Sequence, residues 1–500
     1  MARFYIENFG CRATQADGAA MEQQFLERGL ERAVAARDAE IVVLNTCTVT
    51  DGADKDARAS IRRLRRMNPE CRILVTGCYA QRAPEELAVL PGVTWVVGNS
   101  HKHQAAEIAT SSLTPSLSLS FSPSLSTPSL SAPSVRTSTS AFVPLGQLSR
   151  DQISREQSAS VIVGDIFAHT ELLAAPVFEA ANARTRPNLK VQDGCNNRCS
   201  FCVIPYVRGS SRSLPMERVV AEVRTLVEAG YREVVISGIN LGRWGRDLES
   251  GGQLSVVSSQ SRASAKNHRL ESLIRAILQR TSLEKLRISS VEPMDWSDEL
   301  ISLMAGSDRI AKHAHVPMQS GSDTVLRRMH RKYRPWHYRE KILKIRDAMP
   351  IAAIGADVMV GFPGETEAEF AETRRMIEDL PFTYLHVFTY SPRPGTPAAA
   401  HPRQVPSIEA RERNRQLREI AAQKKVLFMR SMVGTVIQAI TLQTAGAEFT
   451  EATEALTDNY LKMTVAGRHE ANRWMNLRVK MADEESLRGE PLTTATADCT

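Results

Sequence analysis

Three cysteines near the middle of the chain have the spacing of a metal-cluster site. Cys195, Cys199 and Cys202 form a C-x3-C-x2-C array in a loop that is rich in Gly and Asn. Iron–sulfur clusters are held by cysteine thiolates. Because three thiolates leave one iron of a four-iron cluster without a protein ligand, a substrate or cofactor can bind there. The array therefore predicts an iron–sulfur cluster with one open iron.

Other interpretations of this array are a zinc site, a disulfide framework and a chance cluster. A structural zinc site needs four closed ligands, and no fourth Cys or His lies nearby in the sequence. A disulfide framework needs an even number of cysteines. A chance cluster stays open on spacing alone, since the chain has eight cysteines.

Three further cysteines each follow a strand in the first hundred residues. Cys11, Cys47 and Cys78 come after apolar segments separated by helical patterns, as in a parallel α/β domain. The carboxyl ends of parallel strands share one edge of the sheet, so these three thiols can converge as a second ligand set. The alternative is that they are inert, since buried cysteines are common. Cys71 and Cys499 lie outside the pattern and are interpreted as structural or incidental.

The composition indicates a multidomain globular protein. A chain of 500 residues is expected to form two or three domains. It contains no run of about 18 apolar residues, and its first residues resemble a strand more than a secretory signal. We therefore expect a cytoplasmic protein, in a compartment that keeps thiols reduced. A net charge of +7 permits a nucleic-acid partner but equally fits an ordinary basic surface.

Strand and helix patterns divide the chain into several predicted segments. Residues 1–105 predict a small parallel α/β domain. Residues 106–185 include a Ser/Pro/Thr/Leu-rich stretch and predict a low-complexity, disordered linker insertion. Residues 186–420 alternate strands and helices as in a partial parallel β/α barrel, with an inserted loop at 249–268.

The carboxyl-terminal residues predict an all-β module. Residues 431–483 read as short β segments separated by turns, which suits a small closed barrel. Residues 484–500 are polar and are expected to form a frayed tail.

The central motif resembles a known enzyme family. Phe201 completes the pattern C-x3-C-x-aromatic-C, which is similar to the signature of radical S-adenosylmethionine (SAM) enzymes, and the following run 208–213 resembles the methylthiotransferase branch. The resemblance implies a 4Fe–4S cluster on the central trio, with SAM on its open iron. It also implies an auxiliary 4Fe–4S cluster on the amino-terminal trio, and a carboxyl-terminal barrel similar to the RNA-binding TRAM domain.

Several residues at strand ends are implied to contact SAM. Small or polar residues there would let the backbone approach the cofactor or bind its hydroxyl groups. Each alone is more often an ordinary turn, and together they match the pattern of the family. The candidates are Phe201, Gly238, Glu292, Gln319, Gly361 and Gly364.

Residues around the first two strand-end cysteines indicate a branch of the family. The segments 8–18 and 45–50 are similar to the branch that acts on tRNA carrying N6-threonylcarbamoyladenosine at position 37, although Thr14 replaces the usual Asn. The implied reaction places a methylthio group on carbon 2 of the modified adenine. The implied partners are SAM, the tRNA anticodon loop and an electron donor such as flavodoxin or ferredoxin. Basic residues within 58–66 and 327–334 are candidates for phosphate contacts.

Three alternatives stay open at this point. Related branches modify isopentenyladenosine at position 37 of tRNA, or an aspartate of a ribosomal protein. A third alternative is a non-catalytic iron–sulfur protein that binds RNA or acts as a sensor. Production of 5′-deoxyadenosine from SAM would exclude the last.

Overall fold

The computed structural model describes residues 2–111, 159–169, 172–173, 186–248, 268–443 and 452–492. The predicted linker stretch around 111–140 and most of the predicted loop at 249–268 lie outside these ranges. The domain boundaries given above stay a prediction. Among the described residues, no helix combines the length and the apolar character that a membrane-spanning segment needs.

The amino-terminal domain is a six-stranded parallel sheet with helices on both faces. Its strands run in the order β2-β1-β3-β4-β5-β6. They are β1 (Arg3–Asn8), β2 (Glu31–Arg32), β3 (Ile41–Thr46), β4 (Arg72–Gly77), β5 (Val93–Gly98) and β6 (Ser160–Ile162). The helices are α1 (Arg12–Glu27), α2 (Asp51–Met67), α3 (Cys78–Arg82), α4 (Pro84–Ala88) and α5 (Ala105–Ser111). The sixth strand comes from the range assigned to the linker and pairs with β5.

Burial on both faces explains why the central strands carry almost unbroken apolar runs. Every residue of β3 is buried, as expected of a central strand in a parallel sheet that helices cover. The helix α2 begins where the Thr50 side chain accepts a hydrogen bond from the Ala53 backbone N–H, which is a standard amino-terminal cap. The predicted parallel α/β domain is confirmed.

The central domain is a partial β/α barrel built from two short sheets. One has the order β10-β9-β7-β8 and the other β11-β12-β13. The strands are β7 (Asn188–Asp193), β8 (Arg212–Ser213), β9 (Glu233–Gly238), β10 (Lys285–Ile288), β11 (His313–His315), β12 (Ala353–Val360) and β13 (Tyr384–Thr389). All pairings are parallel except that of β7 with β8. A parallel bridge from Leu286 to Ile310 joins the two sheets.

Helices cover the outer face of the partial barrel. They are α6 (Ile204–Arg208), α7 (Met216–Glu228), α8 (Leu270–Arg280), α9 (Asp298–Gly306), α10 (Asp323–Arg328), α11 (Pro335–Ala348), α12 (Glu367–Asp379) and α13 (Ser407–Ser431). Apolar residues of the strands alternate, so that Ala314, Val316 and Ile354 pack outward with the helices. The polar residues between them, such as His313 and His315, face the inside of the barrel.

The carboxyl-terminal domain is a closed five-stranded barrel in the order β14-β15-β16-β18-β17. Its strands are β14 (Val436–Thr441), β15 (Ala452–Thr457), β16 (Lys462–Ala466), β17 (Trp474–Ala482) and β18 (Leu487–Pro491). The predicted barrel is confirmed, but the tail expected from Glu484 is wrong for β18. Leu487 and Gly489 are buried, whereas the residues between and after them are more exposed. Because Leu487 is the only large apolar side chain on the buried face of this strand, its sequence has the polar composition of a tail.

Candidate functional site

The amino-terminal cysteines lie at one edge of the first sheet. Cys11 follows β1, Cys47 follows β3, and Cys78 begins α3 directly after β4. A Cβ atom on Gly10 would lie 2.9 Å from the Cys47 Sγ, so only glycine allows this close approach. Burial, together with the nearby Cys78 and Cys11 thiols, raises the pKa of Cys47 to about 12. The three thiols therefore influence one another electrostatically at this edge.

The central cysteines lie in the loop between β7 and α6. The Cys202 backbone N–H donates to the Cys199 carbonyl at 3.1 Å. The Asn197 backbone N–H donates to the Cys195 Sγ at 3.4 Å. Burial raises the pKa of Cys202 to about 12, with additional contributions from Cys199 and Cys195. This loop gathers three thiols at the carboxyl end of the first barrel strand.

Both cysteine trios are surrounded by N–H donors that point at sulfur. The Arg331 Nη1 donates to the Cys199 Sγ at 3.2 Å, and the Asn240 Nδ2 donates to the Cys195 Sγ at 3.6 Å. The Asn99 Nδ2 donates to the Cys78 Sγ at 3.5 Å. Hydrogen bonds to sulfur tune iron–sulfur clusters, and metal binding releases the protons of thiols whose pKa is raised. The donor sets therefore suit thiolate-bound clusters.

A short helix connects the two trios. The helix α6 begins two residues after Cys202, and Val203 and Val207 pack directly against Cys78 of the amino-terminal domain. The Asn99 side chain donates to both Cys78 and the Val207 carbonyl, the latter at 2.7 Å. The loop of one trio is thereby fixed against the helix of the other.

A buried ion network lies at the same domain interface. Asp17 of α1 accepts hydrogen bonds from Lys102 at 2.9 Å, from Arg208 at 3.0 Å and from Lys190. Lys190 and Arg208 also bind Asp193 at the end of β7. Burial alone would raise the pKa of Asp17, but the surrounding cations hold that pKa well below its usual range. The network orients α1 against the first barrel strand.

The candidate SAM contacts lie around the carboxyl end of the barrel, where each has a different kind of neighbour. Phe201 packs edge-to-face on Phe362, with ring centroids 6.4 Å apart. Glu292 is engaged by Arg331. Gln319 has a φ of 62° and its N–H donates to the Asp357 carbonyl at 2.8 Å.

The candidate glycines have packing roles of their own. A Cβ on Gly238 would lie 2.8 Å from the Gln192 Oε1. Gly361 and Gly364 both have positive φ, at 72° and 75°, in the turn between β12 and α12. Whether the candidate residues contact SAM stays a prediction.

Polar side chains fill the interior face of the β11-β12-β13 sheet. The His315 Nε2 and His386 Nδ1 both lie 3.2 Å from one oxygen of Asp357. The Tyr384 hydroxyl hydrogen-bonds the His315 Nδ1 at 2.9 Å and the His313 Nε2 at 2.7 Å. His315, Asp357 and His386 have ligand atoms within 4.8 Å of one another. Because both imidazoles bind a single carboxylate oxygen, we interpret them as a hydrogen-bonded network.

Sequence reasoning missed the residues that support the cysteines. Asn99, Asn240 and Arg331 are distant in sequence from the thiols that they contact, and no local spacing marks them. Arg331 was included among candidate phosphate contacts, which is wrong because it is buried against Cys199 and Glu292. Arg328, three residues earlier in the same stretch, is likewise engaged by Glu369, at 2.8 Å.

Comparison with known proteins identifies the family. Residues 3–98 match the model of the uncharacterized protein family UPF0004, and residues 189–377 match the radical SAM superfamily. The chain is 35% identical to a threonylcarbamoyladenosine tRNA methylthiotransferase of Bacillus subtilis, over 93% of this chain and 91% of the relative. The chain belongs to the radical SAM methylthiotransferase family. As in this family, its cofactors are SAM and 4Fe–4S clusters.

Other relatives agree with this assignment, and one solved structure shares the fold. A threonylcarbamoyladenosine tRNA methylthiotransferase of Aquifex aeolicus is 32% identical, over 95% of this chain and 99% of the relative. A tRNA-2-methylthio-N(6)-dimethylallyladenosine synthase of Erythrobacter litoralis is 29% identical, over 88% and 86%. The radical SAM methyltransferase TsrM of Kitasatospora setae has a TM-score of 0.50 at 15% identity, over 80% of this chain and 74% of that one. It shares the fold with this methylthiotransferase.

Proposed function

We propose that this chain converts N6-threonylcarbamoyladenosine at position 37 of tRNA to its 2-methylthio derivative. The observation that carries the proposal is the packing of Val203 and Val207, which directly follow the central trio, against Cys78 of the amino-terminal trio. Two cluster sites joined in this way suit a reaction that needs both a radical source and a sulfur donor. The full-length similarity to enzymes with this printed activity supports the choice of substrate.

Each trio has a separate role in this proposal. Cys195, Cys199 and Cys202 hold the cluster that binds SAM, and Cys11, Cys47 and Cys78 hold the auxiliary cluster. When bound, SAM and the clusters supply the radical, the methyl group and the sulfur. The protein holds the thiolates, donates N–H groups to sulfur from Asn99, Asn240 and Arg331, and excludes water from the space between the domains. The reductant is a flavodoxin or ferredoxin, and the reaction takes place in the cytoplasm.

Unpaired bases of an anticodon loop can be splayed into such a space, because they are not locked in a duplex. The exposed arginines of α2 then face the RNA backbone. Arg62, Arg65 and Arg66 are exposed on that helix. Phosphate contacts of this kind make binding weaker as salt increases.

Mass spectrometry of nucleosides from the tRNA of a strain without this protein tests the proposal. The 2-methylthio derivative of N6-threonylcarbamoyladenosine should disappear, the unmodified precursor should accumulate, and the wild-type sequence should restore the product. Loss of 2-methylthio-isopentenyladenosine instead would assign the dimethylallyl branch. An unchanged tRNA profile would contradict a tRNA substrate and point to the ribosomal-protein alternative.

A further inference from the structure

The amino-proximal end of the partial barrel is closed by a residue of the carboxyl-terminal domain. Tyr460 lies in the turn between β15 and β16 and has a φ of 68°. Its ring lies against His313 and Tyr384, with centroids 4.7 and 6.2 Å apart. The same turn is anchored where the Arg287 Nη1 donates to the Asp458 carbonyl at 2.9 Å. A polar, aromatic floor therefore lies beneath the barrel interior.

Arg12 extends from the amino-terminal domain onto this floor. Its Nη2 donates to the Tyr460 hydroxyl at 3.4 Å, while its backbone carbonyl accepts from the Asn188 side chain at 3.1 Å. The guanidinium charge also acts on His313 and Tyr384. Arg12 is the residue directly after Cys11 and the first residue of α1. One backbone position thus links the auxiliary cysteine site to the barrel interior.

Arg12 differs from its cationic neighbours in having no carboxylate partner. Arg287 pairs with Glu233 at 2.6 Å, Arg186 lies 3.8 Å from the same carboxylate, and Lys285 lies 3.8 Å from Asp458. Among the residues that the structure describes, no carboxylate lies within ion-pair distance of Arg12. A half-buried guanidinium without an anion is poorly compensated. The floor therefore offers an unmatched cation to whatever enters the barrel.

The nearby imidazoles do not supply a competing cation. Burial and the Arg287 charge hold the pKa of His313 well below its usual range, so this ring is neutral. Asp357, the nearest acidic side chain of the β11-β12-β13 face, is already engaged by His315 and His386. The Tyr460 hydroxyl accepts from Arg12, and the Tyr384 hydroxyl hydrogen-bonds both His313 and His315.

We propose that Arg12 binds the carboxylate of the N6 substituent of the substrate base, with the Tyr384 and Tyr460 hydroxyls beside it. This inference rests on the proposed function, because the threonylcarbamoyl group carries a carboxylate and a hydroxyl. A guanidinium binds a carboxylate through two parallel hydrogen bonds, which fixes orientation as well as position. Because Arg12 adjoins Cys11, the same contact sets the position of the base relative to the auxiliary trio.

The same arrangement rejects an apolar N6 substituent. A dimethylallyl group at this position would leave the guanidinium desolvated without an anion. Unmatched polar groups in a site discriminate far more strongly than a missing methylene does. Arg12 is therefore a specificity-determining residue in this proposal.

The test compares two anticodon stem-loop RNAs with the anaerobically reconstituted full chain. One carries N6-threonylcarbamoyladenosine, and the other carries its threoninamide, which has the same shape without the negative charge. The wild-type chain should prefer the acid about 10- to 100-fold in kcat/KM and in Kd. Arg12→Gln should bring the two RNAs to equal values, and Arg12→Lys should restore part of the preference.

Controls separate this role from a structural one. Arg218→Gln removes the same charge from the exposed surface of α7 and should keep the full preference. The iron content of Arg12→Gln should stay at about eight irons per chain, which shows that the adjacent Cys11 site is intact. An equal loss on both RNAs, or a wild-type chain that binds both equally, would overturn the proposal. Because Kd is measured without turnover, a chain that binds the acid but does not modify it would contradict the proposed function alone.

Discussion

Single cysteines in the two trios have different surroundings, and these lead to different expectations. Cys11 is exposed and Cys47 and Cys78 are buried, whereas the three central thiols are partly exposed. Arg331 and Asn240 donate to the central sulfurs, and Asn99 donates to the auxiliary one. The two sites are thus chemically distinct, and they can be disabled separately.

Cys199→Ala should abolish SAM cleavage, because the radical-generating cluster loses one of three ligands. Cys47→Ala should leave cleavage to 5′-deoxyadenosine and stop methylthio insertion. Chromatography of the SAM products and mass spectrometry of the RNA measure the two activities. Cys71→Ala is the matched control, since Cys71 is buried outside both trios and should keep about eight irons per chain, as two 4Fe–4S clusters require. If the Cys47→Ala chain still inserted sulfur, the proposed role of the amino-terminal trio would be contradicted.

At the residue scale, sequence predicted the thiols but not their hydrogen-bond donors. Cysteine is rare and its spacing is informative, so six of the eight stood out. Asn99 and Arg331 are common residue types whose roles arise only when distant segments fold together. The polarity of Arg331 even suggested an RNA contact, although the side chain is buried.

Among the structural elements, the turn between β12 and α12 depends on two glycines with different constraints. Gly361 has a φ of 72°, and a Cβ there would lie 2.5 Å from the Ala410 Cβ of α13. Gly364 has a φ of 75°, but the nearest atom would be 3.4 Å away on the flexible His401 ring. Only Gly361 therefore combines backbone strain with close packing.

Gly361→Ala should lower the free energy of unfolding by about 2–4 kcal/mol, because positive φ and overpacking both cost energy. Gly364→Ala should lower the free energy of unfolding by only about 1–2 kcal/mol, because only the positive φ is unfavourable there and the added Cβ has room. Urea unfolding followed by circular dichroism compares the two variants. Equal losses would show that the contact with α13 relaxes without cost.

Element type was predictable where apolar periodicity is strong, as in β3 and β4. The short strand β18 was harder to predict, because it acquires its conformation from pairing with a neighbouring strand. Its sequence carries few apolar residues, so composition assigned it to a tail. Such a strand forms because it pairs with a neighbouring strand in the folded protein, and the local sequence pattern does not show this pairing.

Across the whole molecule, the buried Asp17 network joins the amino-terminal domain to the barrel. Asp17 is 2% exposed and contacts three cations. Removing one member of such a network leaves the others buried without compensation. The relative placement of the two cysteine trios therefore depends on this carboxylate.

Asp17→Asn should destabilise the chain by about 3–5 kcal/mol at neutral pH. The surrounding cations hold the pKa of Asp17 below its usual range, so its stabilising effect is complete above the unfolded-state pKa of about 4 and is lost only below it. The difference between wild type and variant should thus stay constant from pH 8 to pH 5 in urea unfolding. Asp298→Asn is the matched control, because it makes the same change at the exposed start of α9. A difference that shrinks toward pH 5 would contradict this account.

The insertion of Tyr460 has a consequence for how the protein can be divided. A truncation before β14 would remove more than the carboxyl-terminal barrel, since it would also take away the Tyr460 ring that covers His313 and Tyr384 and would admit solvent there. Chimaeras between relatives should therefore keep the 457–461 turn together with the central barrel that it covers.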